Sequence, residues 1–401
     1  SVAVRWLSER GYQVIALTND VGIDRDRATL EERALGAGAV AYRWVDARED
    51  FIRYFAFPAL AAGAVYQGVY PLATALARPL IAKLMVDVAR EEGAQAVAHG
   101  CTGKGNDQVR FDVSVQALAP DLRIVAPLRE WELRTREQEI EYAQQHEIPV
   151  PVTKASPFSI DENLWGRSIE SGPLEDPWLE PPEEAYARTR PVAKTPDQPC
   201  YVEIGFERGR PVSLDGEALD GVTLVRRLTE LAGEHGVGRL DHVEDRLVGI
   251  KSREVYEAPA AITLLRAHEA LEAMTLSKQQ LRLKTLIAQE YAELIYNGLW
   301  FTAHHQDLAS YVQSTQRHVT GAVRMRLHKG QATAAGRASP RSLYAHALAT
   351  YEEGDQYDQS AAEGFIHIWG LPVRVQAEVQ LLAQPGDTLR IAAPQDPAGE
   401  P

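Results

Sequence analysis

Cysteine is almost missing. Cys101 and Cys200 are the only two in 401 residues, so the chain has neither a disulfide framework nor a cysteine-based metal spacing. Basic charge is also short: 42 Lys and Arg face 56 Asp and Glu, a net charge of −14. That argues against a nucleic-acid binder, which needs a basic face to neutralise phosphates. No apolar run reaches the roughly 20 residues of a membrane span, and no charged-then-apolar signal segment opens the sequence. The eleven histidines are scattered, and His304 and His305 are adjacent rather than at the i, i+4 spacing of a helical zinc site. Internal repeats are absent. What remains is a cytoplasmic, globular chain with no structural metal, long enough for two domains.

The densest stretch runs from His99 to Asp112, His-Gly-Cys-Thr-Gly-Lys-Gly-Asn-Asp-Gln-Val-Arg-Phe-Asp. It follows Ala94–Ala98, a short apolar run that reads as a buried strand. Gly100, Gly103 and Gly105 allow sharp turns and a close approach of backbone to a ligand. Lys104, Asn106, Asp107 and Arg110 add charge and amide groups. A glycine-rich loop at the carboxyl end of a parallel strand is where α/β sheets bind phosphorylated ligands. It is not a Walker loop, because the glycine spacing differs and Gly105 follows Lys104; nor is it Gly-x-Gly-x-x-Gly. A surface turn is the plain alternative, and only the density of polar residues argues against it.

Around this loop, strands are expected at 12–17, 39–45, 94–98 and 122–126. Helices are expected at 27–35, 51–62 and 77–92, with a first helix capped by Ser1 and stopped at Gly11. Thr135 with Gln138 makes a capping box for a helix that ends before Pro149. Alternating strands and helices predict an α/β fold, a doubly wound, mostly parallel nucleotide-binding sheet over residues 1–150. From 151 to 382 the pattern is α+β. It includes an aromatic- and amide-rich segment from Ser156 to Ser168, a proline-rich acidic linker at 173–199 and a strand–turn–strand from Tyr201. A helix at 222–235, a helical region at 260–296 broken near Met274, and a hairpin turned at Lys329-Gly330 follow. Residues 383–401 read as a disordered tail.

Taken together, the loop, Tyr70-Pro-Leu-Ala-Thr-Ala-Leu-Ala-Arg-Pro79, the Ser159 to Ser168 segment and the Glu244 to Tyr256 segment resemble argininosuccinate synthase, from Ser1 to about Leu382. The resemblance implies a carbon–nitrogen ligase of arginine biosynthesis that joins citrulline to aspartate through citrullyl-AMP, releasing AMP and pyrophosphate. It implies ATP with Mg2+, a cytoplasmic homotetramer, and an α+β second domain that carries synthetase and oligomerisation functions. ATP contacts would fall on Ser1, on Asn19, and on Gly100, Cys101, Thr102, Gly103, Lys104 and Gly105. Aspartate would meet Thr102, Asn106 and Asp107. Citrulline would meet Tyr70, Asn106, Arg110, Ser159, Ser168, Glu244 and Tyr256. A serine present in some members is Ala75 here, so its contact would pass to the backbone or to Thr74. The family also has a first strand and a Ser-Gly-Gly-Leu-Asp-Thr-Ser loop whose last serine aligns with Ser1, so the sequence is expected to be amino-terminally truncated.

Individually these residues are ambiguous. Asp107 suits a turn, Arg110 a surface ion pair, and Tyr70 or Tyr256 a core position; the joint order and spacing carry the reading. No general base stands out. A thiolating or amide-forming ligase would want suitably placed cysteines or a glutaminase domain. An alternative of another class is a catalytically impaired assembly subunit, lacking the pyrophosphatase loop.

Overall fold

The computed structural model describes residues 1–23, 25–133, 136–146, 148 and 157–381. The Thr135 half of the expected capping box, Ser156 and the expected tail at 383–401 lie outside the described residues. Residues through Leu343 form one compact unit, and Tyr344 onward forms a second.

The first unit begins with helix Val2–Glu9. Ser1 stands at its N-cap position, but its side chain accepts no capping hydrogen bond. Strands β1 (Ile15–Asp20) and β2 (Ala41–Asp46) pair in parallel, as do β3 (Ala96–Ala98) and β4 (Arg123–Val125). The connecting helices include Arg27–Gly36, whose first N–H groups are capped by Asp26, and Ala73–Glu91. Among the described residues the parallel layer is therefore two separate pairs. The unpaired edges of β1 and β3 border one apolar cleft of about 530 Å3.

Helix Ala73–Glu91 starts four residues earlier than its apolar periodicity suggests and carries Pro79 inside. The cause lies before it. Leu72 takes a left-handed conformation with φ +64, and the Tyr70 hydroxyl accepts hydrogen bonds from the Thr74 and Ala75 N–H groups. A tyrosine caps this helix, a device that sequence propensity does not announce.

Two antiparallel sheets follow. Strands β5 (Ser159–Asn163) and β6 (Gly166–Glu170) form a hairpin, and β10 (Arg239–Asp245) and β11 (Lys251–Glu257) complete a sheet ordered β10-β11-β6-β5. The second sheet runs β13-β12-β7-β8-β9, from β7 (Cys200–Glu207), β8 (Arg210–Leu214), β9 (Glu217–Ala218), β12 (Gly321–His328) and β13 (Gln331–Ala338). Lys329 and Gly330 both have positive φ, as a tight hairpin turn requires. The long helical region divides into Pro259–Thr275 and Lys278–Tyr296, the second opened by a Ser277–Gln280 capping box.

One hydrophobic core spans both halves of this unit. It joins Phe51, Leu60, Leu72 and Leu76 to Ile204, Leu224, Leu264, Ile295 and Val323. The proline-rich 173–199 stretch packs more closely than a solvated linker. Leu174 and Ala185 are buried, and the buried Glu257 carboxylate accepts from the Ala187 and Arg188 N–H groups and the Thr189 hydroxyl. The second unit carries helices His346–Ala349 and Ala361–Gln376. Phe365, Ile366, Ile368, Trp369 and Val373 of the longer helix are all exposed.

Candidate active site

Side-chain alternation on the β10-β11-β6-β5 sheet decides what faces the cavity. Residues directly opposite in register share a face. Ser168 pairs with Asp161 on one side and Tyr256 on the other, Ser159 with Glu170, and Glu244 with Ser252. One face thus gathers Ser159, Asp161, Ser168, Glu170, Glu244, Glu254 and Tyr256, while Ile169 and Val255 turn to an apolar cluster on the other. The polar face forms the floor of a cavity of about 320 Å3. Its walls are the loop from Gly100 to Gly105, the start of helix Asn106–Leu118, and Tyr70 with Thr74.

Every residue expected to meet citrulline or aspartate lines this cavity: Tyr70, Thr102, Asn106, Asp107, Arg110, Ser159, Ser168, Glu244 and Tyr256. Gly100, Cys101 and Gly105 of the expected ATP set line it as well. Asn19 does not. It lies with Gly100 and Cys101 on the apolar cleft between β1 and β3, its Oδ1 buried with no hydrogen-bond partner among the described residues. Ser1, Gly103 and Lys104 line neither cavity, and Gly103 and Lys104 form an exposed loop tip. None of the three loop glycines has positive φ. A Cβ at Gly103 would meet no atom within 4 Å. Close access, not backbone strain, is what glycine provides there.

The hydrogen bonds are dense. Both Glu244 oxygens are taken, by the hydroxyls of Tyr256 and Tyr296, each at 2.5 Å. The Tyr296 hydroxyl also accepts from Asn106 Nδ2 at 2.8 Å, and its carbonyl accepts from Arg110 Nε at 2.8 Å. The Leu247 N–H donates to Asn106 Oδ1. Tyr70 stacks on Tyr256 with ring centroids 4.1 Å apart, and burial pushes its hydroxyl up to about 12. Ala75 sits beneath this arrangement, its N–H bonded to Tyr70, whereas Thr74 lines the cavity and hydrogen-bonds the Tyr70 hydroxyl.

Charge divides across the cavity. On one side Arg110, only 3 % exposed, holds Asp107 with Nη1 at 3.0 Å and keeps Nη2 buried without a partner among the described residues. Arg78 bonds Asp107 at 2.7 Å and also bonds Asp161. Burial alone would raise Asp107, but the Arg78 and Arg110 charges outweigh it and hold the carboxyl down at about 2. On the floor, Glu170 and Glu254 share the cation Arg246, at 2.5 Å and 3.1 Å, while Glu244 is held by tyrosine hydroxyls. Burial and the Glu170 and Glu244 charges push Glu254 up to about 9. Cys101 is pushed up to about 12, chiefly by burial and then by Asp107, so it is no thiolate nucleophile at neutral pH. The result is a pocket with a guanidinium donor on one side and an anionic floor, complementary to a zwitterionic amino acid.

Tyr296, Arg78, Asp161, Glu170, Arg246 and Glu254 belong to this constellation beyond the expected set. Alternation in β6 and β11 could have placed Glu170 and Glu254 beside Ser168 and Tyr256. Tyr296, at the end of a long helix, carried no local signal.

A polar amino-acid-sized cavity between a glycine-rich nucleotide-type loop and an antiparallel sheet defines a two-part α/β protein built for small charged ligands. Family models agree with that division: the argininosuccinate synthase N-terminal HUP domain matches residues 1–149, and the C-terminal domain of the same family matches residues 158–376. Curated relatives are named argininosuccinate synthase. Those from Dehalococcoides mccartyi are 58% identical over 95% of this chain and 94% of theirs, and the Bacillus pumilus protein is 56% identical over 94% of each. The Gloeobacter violaceus protein is 57% identical over 92% of each. The chain belongs to the argininosuccinate synthase family. These matches lend nothing to the alternative of an impaired assembly subunit.

Proposed function

We propose that the chain is an ATP-dependent ligase that condenses citrulline with aspartate to give argininosuccinate, in arginine biosynthesis, and that the cavity over the β10-β11-β6-β5 sheet is where the amino acids meet. The observation that carries this reading is one cavity lined both by Arg110, whose buried Nη2 has no partner among the described residues, and by the Glu170 and Glu244 carboxylates. A free amino acid offers a carboxylate to the first and an ammonium to the second.

The chemistry needs activation, because a ureido carbon is a poor electrophile until its oxygen can leave. The ureido oxygen of citrulline attacks the α-phosphorus of ATP, forming an O–P bond and expelling pyrophosphate. The aspartate amine then forms the new C–N bond, AMP departs with the C–O electron pair, and the amine loses a proton. Such steps rest on positioning and on stabilising phosphate charge. Arg110 and Glu244 would orient citrulline, with Tyr70, Asn106, Ser159, Ser168 and Tyr256 around it. Thr102, Asn106 and Asp107 would hold aspartate. Gly100 to Gly105 and the positive end of helix Asn106–Leu118 suit nucleotide phosphates. The orphaned Asn19 Oδ1 fits a donor from the nucleotide, and Ser1 is assigned to ATP on the resemblance alone. Magnesium would enter with the phosphates, since among the described residues no group of three His, Cys, Asp or Glu converges as a metal site.

Assembly as a homotetramer is supported by the apolar helix Ala361–Gln376, whose Phe365 and Trp369 are 63% and 73% exposed. A cytoplasmic location accords with the absence, among the described residues, of any helix long and apolar enough to cross a membrane. The deciding experiment is pyrophosphate release from MgATP. Release that requires citrulline, with argininosuccinate formed only when aspartate is added, supports the proposal; release indifferent to citrulline refutes it.

A further inference from the structure

The substrate-facing loop is gripped from behind by four side chains that no assignment above includes. The Cys101 N–H donates to His99 Nδ1 at 3.3 Å. Nε2 of His99 therefore carries the proton and donates to Asp112 Oδ1 at 2.7 Å. The other Asp112 oxygen accepts from Arg129 Nη1 at 2.7 Å. Arg129 Nε donates to Gln108 Oε1 at 2.8 Å, and Gln108 Nε2 in turn donates to the Gly103 carbonyl. The chain of bonds closes on the loop at both ends, Cys101 and Gly103. Its members come from three places: the end of β3, helix Asn106–Leu118, and helix Pro127–Glu130 that follows β4. His99 stacks on Phe111, and His99 and Gln108 are buried.

We infer that His99, Asp112, Arg129 and Gln108 are positioning residues that hold the Gly100–Gly105 loop ready for the ATP phosphates and the aspartate substrate. The inference rests on the proposed function for its choice of ligands, but not for its geometry. A trans peptide points its C=O and N–H in opposite directions. Pinning the Gly103 carbonyl to Gln108 therefore turns the Lys104 N–H away from the helix, toward the open side of the loop. Without the clasp, a tip of three exposed residues, Thr102 to Lys104, has, among the described residues, only its own backbone bond from Gly105 N–H to the Thr102 carbonyl to fix those N–H directions. Binding would then carry the entropic cost of ordering it. Of the residues assigned to citrulline, Tyr70, Ser159, Ser168, Glu244 and Tyr256 come from other elements than the clasp, and Asn106 and Arg110 share helix Asn106–Leu118 with Gln108 and Asp112 but are fixed by Tyr296 instead.

The test uses Arg129→Gln, Asp112→Asn and Arg129→Lys in the full chain, with Arg90→Gln as a control that breaks a surface pair to Asp121 in the same half. Two readouts are made. Ligand-free protein is digested with trypsin, which cleaves after the exposed Lys104. Steady-state KM values are then measured for all three substrates. Loss of a charge-assisted bond predicts that Arg129→Gln and Asp112→Asn raise both the cleavage rate at Lys104 and the KM for ATP and aspartate by about tenfold. The KM for citrulline stays within about twofold. Arg129→Lys, which keeps the Asp112 arm, recovers part of the loss, and Arg90→Gln changes neither readout. If Arg129→Gln fails to fold, the isosteric Asp112→Asn decides. A citrulline KM that rises in step with the others, or an unchanged cleavage rate at Lys104, overturns the inference. Increased cleavage in a protein whose parent has no ligase activity would leave the clasp standing and remove the proposed function instead.

Discussion

Tyr296→Phe isolates one oxygen atom. The phenyl ring would keep its stack on Tyr66, whose centroid lies 3.6 Å away, and its place under the Arg110 guanidinium. What disappears is a hydroxyl that donates to Glu244 Oε1 and accepts from Asn106 Nδ2. A hydrogen bond to a charged group contributes about 1.5–3 kcal/mol, and stranding its buried partner costs a similar amount. Glu244 retains Tyr256 on its second oxygen, and Asn106 retains the Leu247 N–H. The loss should therefore fall near the lower half of that range, about 2 kcal/mol, rather than the sum of two broken bonds. In the proposed enzyme the same oxygen sets the orientation of Glu244 and Asn106, whereas Arg110 keeps its bond to the Tyr296 backbone carbonyl. The expected result is a fall of about 30-fold in kcat/KM for citrulline, with the KM for ATP little changed. Steady-state kinetics at varied citrulline, beside thermal melting of both proteins, makes the measurement. A citrulline kcat/KM within about twofold of the parent would refute the idea that this hydroxyl organises the site. A loss shared equally by all three substrates would refute its confinement to the citrulline side.

Arg110→Lys keeps the positive charge but removes the Nε bond to the Tyr296 carbonyl and the free Nη2. It should raise the KM for citrulline by at least about tenfold, and calorimetric titration with citrulline would show whether affinity is what is lost. Gly298→Ala tests the same arginine from outside. Gly298 has φ +77, and a Cβ there would lie 2.8 Å from Arg110 Cα and 3.2 Å from its Cγ; destabilisation of about 1–3 kcal/mol in denaturant melts is expected, with a weaker grip on citrulline. Glu254 makes a pH prediction. Its folded-state value, about 9, lies above the unfolded value of about 4.3, so the folded chain binds the extra proton between those limits and loses stability as pH rises through that window. Glu254→Gln should therefore gain in melting temperature relative to the parent between pH 5 and pH 9; a constant difference across that range would contradict the assignment.

How much of this was legible in the sequence depends on whether the responsible interaction is local. The helix expected at 27–35 and the break expected near Met274 lie close to the observed bounds, because Asp26 and Ser277 with Gln280 cap helices Arg27–Gly36 and Lys278–Tyr296 through side chains that bond backbone N–H groups two or three residues away. The Lys329-Gly330 turn is likewise written in adjacent residues. The start of helix Ala73–Glu91 is not, since the cap comes from an aromatic hydroxyl that propensity scales do not count. The separation of β1-β2 from β3-β4 could not be read from either pair alone, because pairing is a property of edges brought together by the chain.

The site divides by the same rule. The loop residues and the Glu244–Tyr256 segment form compact blocks of unusual composition, so their joint order was informative even where each residue alone was ambiguous. Arg78 lay inside the Tyr70–Pro79 segment, yet its role depends on Asp107 and Asp161, 29 and 83 positions away. Tyr296 is the extreme case. It is 186 to 190 residues from Arg110 and Asn106 and 52 from Glu244, and it ends a helix whose neighbouring Tyr291, Ala292, Leu294 and Ile295 are buried in the core. Buried polar groups must find partners, and in this cavity the expected ligand-binding groups are largely bonded to one another. Citrulline must therefore bind either by adding to the oxygens and N–H groups still free, Arg110 Nη2 foremost, or by displacing tyrosine hydroxyls from Glu244. Tyr296→Phe separates these. If displacement is required, removing one competing hydroxyl should tighten citrulline binding rather than weaken it, and the sign of the change in affinity decides between the two.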